Sequence, residues 1–290
     1  MSNQIHGVVI FSACRAPVGK FLGSLKSLQA VDLAVVAAKE AVRRAGIGAE
    51  AVDEIVMGEV YPHMQGSLPA RQVAMKAGLP YRSAAVNVNQ NCASGMRALE
   101  IAARNIQLGK TEIGLVVGVE SMSNVPYMLP KARMGYRMGP GVLEDALMAD
   151  ALVDGLVPGH MALTAENVAE KYGITRQQCD ELALMSHRRA VEANRTGALV
   201  EEIIPVEIPD KKGTKVFAQD EHMIPDANLE AMGKLRPAFK EDGVVTAANA
   251  SGVNDGAAAV IIMSADKAAA LGLTPMAKMI DICSEGVDPK

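Results

Sequence analysis

Short apolar segments alternate with amphipathic ones through residues 1–120, and this alternation restricts the fold more than any other feature. Strands are predicted at His6–Ser12, Glu54–Val60, Val86–Val88 and Ile113–Val119. Helices are predicted between them, at Ala30–Ala45, Ala70–Ala77 and Ala93–Leu108. A repeated strand–helix order of this kind is typical of an α/β domain built on a parallel or mixed sheet.

The pattern changes after Glu120. Residues 119–141 are rich in Met, Gly and Pro, yet they are too apolar for a freely solvated linker. Later elements are predicted as helices at Met161–Tyr172 and Thr175–Thr196 and as strands at Ile203–Ile208, Ala257–Met263 and Ala277–Cys283. The sequence therefore predicts an α/β half over 1–120, completed by 249–270, with a loop domain inserted over 121–248.

Composition and charge exclude several classes of function. The net charge is −4 and no basic block occurs, so nucleic acid is not expected as a partner. No apolar run approaches the ~20 residues that span a membrane, and no signal peptide is recognisable. The four cysteines are widely spaced without a C-x-x-C pair, which argues against a disulfide framework and a zinc site. A cytoplasmic, reducing location fits this pattern.

Cys92 is the candidate nucleophile. It lies between the strand at 86–88 and the helix at 93–108, and the small residues Ala93, Ser94 and Gly95 follow it. The unpaired amides and the dipole at a helix N-terminus favour the thiolate form of a cysteine placed there. Small neighbours allow a substrate to approach closely. A buried structural cysteine is the alternative, and it is the commoner fate of this residue type.

The segment N-Q-N-C-A-S-G-M-R-A (89–98) resembles the nucleophile segment of the thiolase family. Further thiolase-like segments occur along the whole chain: R-A-P-V-G-K-F-L-G (15–23), V-G-V-E-S-M-S-N (117–124), G-H-M-A-L-T-A-E-N-V-A (159–169), L-R-P-A-F (235–239) and N-A-S-G-V-N-D-G-A-A (249–258). The resemblance implies the thiolase fold, an α/β protein of layers α/β/α/β/α. This chain would supply the first half and the inserted loop domain, and 271–290 would begin the second half.

The resemblance also implies an activity. A short-chain thiolase is an acetyl-CoA C-acetyltransferase of fatty acid metabolism, which condenses two acetyl-CoA molecules to acetoacetyl-CoA and coenzyme A, or catalyses the reverse thiolysis. Cys92 would carry the acyl group as a thioester. The resemblance implies no metal or redox cofactor, and coenzyme A acts as a substrate. The family further implies a homo-oligomer, a dimer or tetramer, whose partners are acyl-CoA molecules.

The resemblance assigns substrate-binding roles to a second set of residues. These residues are Leu152, His160, Met161, Phe239, Ala247, Ala250, Ser251 and Gly252. A thin pantetheine arm needs closely approaching backbone, which Ala, Ser and Gly provide. From spacing alone, 249–256 is equally a glycine-rich strand connection, and His160 is equally a structural histidine. Glu166 and Asn167 are interpreted as surface residues of a helix.

The sequence departs from the family pattern at two places. Relatives often carry an adenine-stacking arginine where this chain has Ile224, and Lys212 or Lys234 is the candidate substitute. The family's G-H-P-like histidine motif and C-x-G-G-G-like second-cysteine motif are absent. We therefore expect the 290-residue chain alone to be inactive. The alternatives are a longer-chain 3-ketoacyl-CoA thiolase, a sterol-carrier-like relative that binds acyl groups without thiolysis, and a non-catalytic acyl-CoA-binding half whose missing half is a separate segment.

Overall fold

The computed structural model describes residues 6–157, 159–211 and 213–289. They form two compact units. The first unit contains the residues up to Asn124, together with Val200–Glu221 and Asn254–Glu285. The second contains Val125–Leu199, His222–Val253 and the residues from Gly286 onward. The α/β character expected from the sequence is confirmed, because the first unit is built on a mixed sheet with helices.

The described strands are mostly short. They are β1 Val8–Arg15, β2 Gly19–Lys20, β3 Glu54–Gly58, β4 Ala84–Val88, β5 Ile113–Ser121, β6 Tyr127–Met128, β7 Glu144–Asp145, β8 Val153–Asp154, β9 Gly159–His160, β10 Val206–Asp210, β11 Gly213–Phe217, β12 Asn254–Ser264 and β13 Ala277–Lys278. The helices are α1 Ala30–Arg44, α2 Pro69–Lys76, α3 Ser94–Gln107, α4 Ala162–Tyr172, α5 Arg176–Thr196, α6 Leu229–Gly233 and α7 Ala265–Ala270. None of these helices is long and apolar enough to cross a membrane.

The main sheet has seven strands in the described part of the chain. Its order is β13-β1-β12-β5-β3-β4, and β2 pairs with β12. Strands β4, β3 and β5 are parallel, whereas β12 is antiparallel to both β1 and β5. Gly58 at the end of β3 is opposite Val88 of β4 and Gly118 of β5. The carboxyl ends of these parallel strands therefore meet at one edge of the sheet.

Alternate residues of the strands bury against helices on the two faces of the sheet, since successive side chains of a strand point to opposite sides. On one face, Ile55 and Ile261 belong to the same core cluster as Leu33 of α1. On the other face, Val56 and Ile262 pack in a second cluster with Ala102 of α3. The sheet is thus a central layer with α1 and α2 on one side and α3 on the other.

Local sequence signals placed the helix ends well. A capping box is present at α5, where the Thr175 side chain accepts a hydrogen bond from the Gln178 amide. Ser264 likewise caps α7 by accepting a hydrogen bond from the Lys267 amide. These side chains satisfy amides that have no partner within the helix.

The predicted strand at Ala277–Cys283 is wrong beyond Lys278. Only Ala277 and Lys278 pair with β1, opposite Ile10 and Val9. Ile280 is 86% exposed. An apolar run forms a strand only where a neighbouring strand offers free backbone groups, and here the pairing with β1 ends after two residues.

Residues 200–221 pack in the first unit, although the sequence prediction assigned them to the inserted domain. The Arg15 amide donates to the Glu202 carbonyl at 2.9 Å, and the Ile204 amide donates to the Arg15 carbonyl at 2.8 Å. The Arg15 guanidinium also donates two hydrogen bonds to Asp220, at 2.7 and 2.9 Å. A charge-assisted pair with two parallel bonds fixes orientation as well as contact.

Candidate active site

Cys92 lies in the turn that joins β4 to α3, as the sequence predicts. The helix begins at Ser94, and Ala93 is its N-cap residue. The cysteine is exposed. The first turn of a helix carries its positive end, so the turn presents an accessible thiol at the N-terminus of α3.

The backbone of the turn is held by the polar side chains on either side of the cysteine. Asn91 has a left-handed backbone with φ of 48°, a conformation that asparagine tolerates better than most residues. The Asn91 amide donates to Asn89 Oδ1 at 2.9 Å. Ser94 Oγ accepts from the Gln90 amide at 2.9 Å and donates to the Asn91 carbonyl at 2.6 Å. These bonds fix the backbone on both sides of Cys92.

Glycines bring the start of α3 very close to the sheet. A Cβ atom at Gly58 would lie 2.3 Å from the carbonyl carbon and oxygen of Ser94. A Cβ at Gly118 would lie 3.5 Å from the Cα of Gly95. The helix start therefore rests on the ends of β3 and β5, and the position of Cys92 depends on the absence of a side chain at Gly58.

The other three cysteines differ from Cys92 in their surroundings. Cys14 is buried, and burial raises the pKa of its thiol to about 11. Burial also raises the pKa of Cys179 on α5. Cys283 is exposed but belongs to no helix start. Cys92 alone combines exposure with a helix N-terminus.

Four predicted substrate-binding residues lie together in the second unit. His160 in β9 is opposite Val153 of β8, and the Met161 amide donates to the Leu152 carbonyl at 2.8 Å. The His160 and Phe239 rings stack, with centroids 4.6 Å apart and planes inclined by 22°. The Ala162 amide donates to His160 Nδ1 at 3.1 Å, which leaves the Nε2 atom of a neutral imidazole to carry the proton.

The remaining predicted residues form a surface segment of small side chains. Ala247, Ser251 and Gly252 are exposed, and Ala250 is half-buried. The Ala250 amide donates to the Thr246 carbonyl at 2.9 Å, which closes a turn. We call residues 247–252 the ledge. The ledge is followed by Val253 and then by β12. The same residues therefore fit both interpretations given above, a connection to a strand and a surface for substrate binding.

Buried polar residues that the sequence did not single out hold the ledge in place. Asn249 Nδ2 donates to Asp180 Oδ1 at 2.8 Å and to the Val244 carbonyl at 2.9 Å. Asp180 is 4% exposed and pairs with Arg176 at 2.8 Å. A network of this kind restricts the backbone around it because each polar group needs its partners.

The interpretation of Glu166 as a surface residue is wrong. It is 3% exposed, and its carboxylate accepts hydrogen bonds from the Val244 and Val245 amides at 2.9 and 2.8 Å. Buried carboxylates require such partners, and only the fold brings residues so distant in sequence together. Asn167, by contrast, is exposed.

The adenine-binding substitutes remain without structural support. Ile224 is 47% exposed, and its amide donates to His187 Nδ1 at 3.2 Å. Lys234 pairs with Glu230 at 2.6 Å. Lys212 lies outside the described residues. Within the second unit the structure groups Leu152, His160, Met161 and Phe239, whereas Cys92 belongs to the first unit.

Comparisons with known proteins identify the relatives of this chain. A family model described as "Thiolase, N-terminal domain" matches residues 8–266. The chain is 49% identical over 284 residues to the acetyl-CoA acetyltransferase of Cupriavidus necator, covering 98% of this chain and 72% of the relative. It is 46% identical over 282 residues to the acetyl-CoA acetyltransferase of Escherichia coli, covering 97% and 72%.

Solved structures agree with the sequence relatives. The acetyl-CoA acetyltransferase from Syntrophomonas wolfei is similar with a TM-score of 0.96 and 57% identity, over 98% of this chain and 71% of that one. The acetyl-CoA acetyltransferase of Bacillus anthracis is similar with a TM-score of 0.93 and 41% identity, over 96% of this chain and 70% of that one. The predicted fold is thereby confirmed.

Proposed function

The chain belongs to the thiolase family, and on this premise we propose that it supplies the acyl-carrying nucleophile of an acetyl-CoA C-acetyltransferase, whose turnover also needs the groups of the histidine and second-cysteine motifs that this sequence lacks. The reaction joins two acetyl-CoA molecules to acetoacetyl-CoA and coenzyme A, or runs in reverse as thiolysis. One observation of this structure carries the proposal: Cys92 is an exposed thiol at the start of α3, held by a hydrogen-bonded turn. The relatives named above carry the same activity in their names.

The thiol chemistry follows from this placement. The Cys92 thiolate attacks the carbonyl carbon of acetyl-CoA, a new C–S bond forms, and coenzyme A leaves as a thiol after gaining a proton. A base then removes an α-proton from a second acetyl-CoA, and the carbanion attacks the acetyl carbon on Cys92. The bond to Cys92 breaks and its thiolate is regenerated. Covalent catalysis of this kind replaces one difficult step by two easier ones.

The function is tested by acetylation of Cys92. Incubation with acetyl-CoA should add one acetyl group to the chain, and peptide mapping should find it on Cys92. Mass spectrometry of the intact protein gives the stoichiometry. An acetyl group found equally on Cys283, which is also exposed, would contradict a specific nucleophile and reject the proposal.

For substrate binding we propose that the pantetheine arm of coenzyme A lies along the ledge. Ala247, Ala250, Ser251 and Gly252 offer backbone without bulky side chains, and three of these residues are exposed. The His160–Phe239 stack, with Leu152 and Met161 beside His160, offers an apolar wall for the same ligand. We propose that no metal or redox cofactor takes part, because the acyl transfers above change no oxidation state, and coenzyme A enters as a substrate.

Replacing Phe239 with alanine should weaken the binding of coenzyme A about tenfold, because the ligand loses an apolar wall and His160 loses its stacking partner. Titration calorimetry with coenzyme A measures the change in Kd and does not require turnover. Tyr172→Ala is the matched control, since this aromatic residue at the end of α4 is 67% exposed. Equal Kd values for wild type and Phe239→Ala would remove the stack from the proposed binding site.

We propose that the protein is a homo-oligomer, a dimer or tetramer. Residues 125–157 expose large apolar side chains, among them Met134 at 86%, Met138 at 96% and Leu156 at 83%. Exposed apolar groups close together on a surface commonly mark a contact with another protein. Light scattering after size exclusion should give a multiple of the chain mass, and Met134→Ser/Met138→Ser should lower it. A monomer in wild type would reject the proposal.

The free thiols Cys92 and Cys283 support a reducing, cytoplasmic location.

A further inference from the structure

A half-buried carboxylate lies at the strand edge from which the Cys92 turn departs. Glu120 is near the end of β5, Glu59 follows β3, and Asn89 follows β4. These strands are parallel neighbours, so all three side chains lie at the same end of the sheet. Neither Glu120 nor Glu59 takes part in the acyl-transfer steps described above.

Glu120 binds the backbone that follows β3. Its Oε2 atom accepts a hydrogen bond from the Val60 amide at 2.9 Å, and its Oε1 atom accepts one from the Tyr61 amide at 3.0 Å. Both carboxylate oxygens are thus engaged by adjacent amides. Bonds from amides to an ionised carboxylate are stronger than bonds between neutral groups.

The same backbone is linked to the nucleophile turn through Asn89. Asn89 Nδ2 donates to the Val60 carbonyl at 3.2 Å. Asn89 Oδ1 accepts from the amide of Asn91, the left-handed residue directly before Cys92, at 2.9 Å. A continuous path of hydrogen bonds therefore runs from Glu120 through Val60 and Asn89 to Asn91.

The surroundings make the charge of Glu120 sensitive to pH. Burial raises the pKa of Glu120 to about 7, while the Val60 and Tyr61 amides lower it and the nearby Glu59 carboxylate raises it. Glu59 is 2% exposed and accepts hydrogen bonds from Gln65 and Asn87. Other ionisable groups on adjoining elements are Asp255 on β12, which accepts hydrogen bonds from Ser123, and His63 in the loop after β3.

We infer that Glu120 is a positioning residue for Cys92: its carboxylate fixes the backbone at Val60 and Tyr61, and through Asn89 it holds the turn that presents the thiol at the helix start. The inference rests on the proposed function for the role of Cys92, but its test uses only the reactivity of the thiol. When Glu120 is protonated, one oxygen becomes a hydroxyl group and a much weaker acceptor, so the bond from its amide loses the contribution of the negative charge. The turn is then held less firmly.

A glutamine at position 120 has the same shape as the glutamate side chain, but it lacks the second of the two oxygen atoms that accept from the Val60 and Tyr61 amides. Its carbonyl oxygen can keep one amide bond, whereas its NH₂ group faces the second amide as another donor. The Glu120→Gln chain should therefore show Cys92 alkylation about tenfold slower than wild type above neutral pH, in line with the loss of one hydrogen bond to a charged group. As the pH falls through about 7, protonation of Glu120 weakens the corresponding bond in wild type, and the ratio of the two rates should approach one.

The experiment measures iodoacetamide alkylation of Cys92 by peptide mapping, with the exposed Cys283 as the internal reference. Rates are recorded from about pH 5.5 to about pH 8.5, a range that brackets the titration of a raised carboxyl group. Glu112→Gln is the matched control, because this carboxylate is exposed on the same unit and pairs with Lys267 at 2.9 Å. The Glu112→Gln rates should equal those of wild type at every pH.

A wild-type to Glu120→Gln rate ratio that stays constant with pH would overturn the inference, even if the variant is slower throughout. If the Glu120→Gln variant does not fold, the test is the pH dependence of the wild-type alkylation rate. A wild-type rate that follows one thiolate ionisation, with no second inflection near pH 7, also overturns the inference. Asn89→Ala removes the hydrogen bonds that join Val60 to Asn91, so it should also slow alkylation of Cys92 at high pH. Acetyl-CoA is absent from these reactions, so failure of the proposed acetyltransferase activity would be seen separately.

Discussion

Replacing Cys92 with alanine is expected to abolish acetyl transfer from acetyl-CoA, with a loss on the order of 10⁴-fold or more in rate. The expectation follows from the chemistry, because the other nucleophile at this turn, the Ser94 hydroxyl, is 4% exposed and already hydrogen-bonded to the Gln90 amide and the Asn91 carbonyl. The free energy of unfolding should change by less than about 0.5 kcal/mol, since the side chain is exposed and fills no core space. Intact mass after incubation with acetyl-CoA, together with urea unfolding, measures both quantities.

Cys283→Ala provides the control for this experiment. It removes the other exposed thiol and should leave the acetylation of Cys92 unchanged. Cys14 requires no such variant, because burial raises the pKa of its thiol to about 11 and leaves it protonated at neutral pH. Acetyl transfer that survives in Cys92→Ala would show that another residue is the nucleophile.

Local patterns were enough to predict much of the secondary structure. The β4–Cys92–α3 arrangement follows from a short apolar run, small residues at the turn and helical spacing afterwards. Capping residues such as Thr175 and Ser264 bind amides only a few positions away, so their effect can be predicted from residues that are close in sequence. A single sequence is enough to predict interactions between residues that are only a few positions apart.

Contacts between distant residues account for what the sequence did not predict. Glu120 and Asn89 meet Val60 only because β3, β4 and β5 become neighbours in the sheet. Glu166 looks like a surface residue in its own helix, and it is buried because residues 243–245 fold against it. Hydrophobic periodicity describes one element at a time and holds no information about such partners.

Replacing Gly58 with alanine is the second change expected to have a large effect. The added Cβ would lie 2.3 Å from the carbonyl carbon and oxygen of Ser94 and 2.6 Å from the Gly95 amide nitrogen. All three are backbone atoms in the first turn of α3, so no flexible side chain can move aside. Either the helix start shifts or the end of β3 does. Overpacking of this kind costs about 3 kcal/mol of unfolding free energy.

Gly256→Ala is the matched control for Gly58→Ala, since Gly256 also lies in a strand of the main sheet but a Cβ there would meet nothing within 4 Å. Urea unfolding should therefore separate the two variants by about 3 kcal/mol. Acetylation of Cys92 should also slow in Gly58→Ala, by up to about 100-fold, because a displacement of roughly 1 Å is enough to spoil the alignment of reacting groups. If Gly58→Ala matched the control in both measurements, the close packing of α3 on β3 would not be what places Cys92. If stability fell while acetylation kept its rate, the turn would hold its geometry independently of the helix, and the hydrogen bonds of Asn91 and Ser94 would be sufficient to present the thiol.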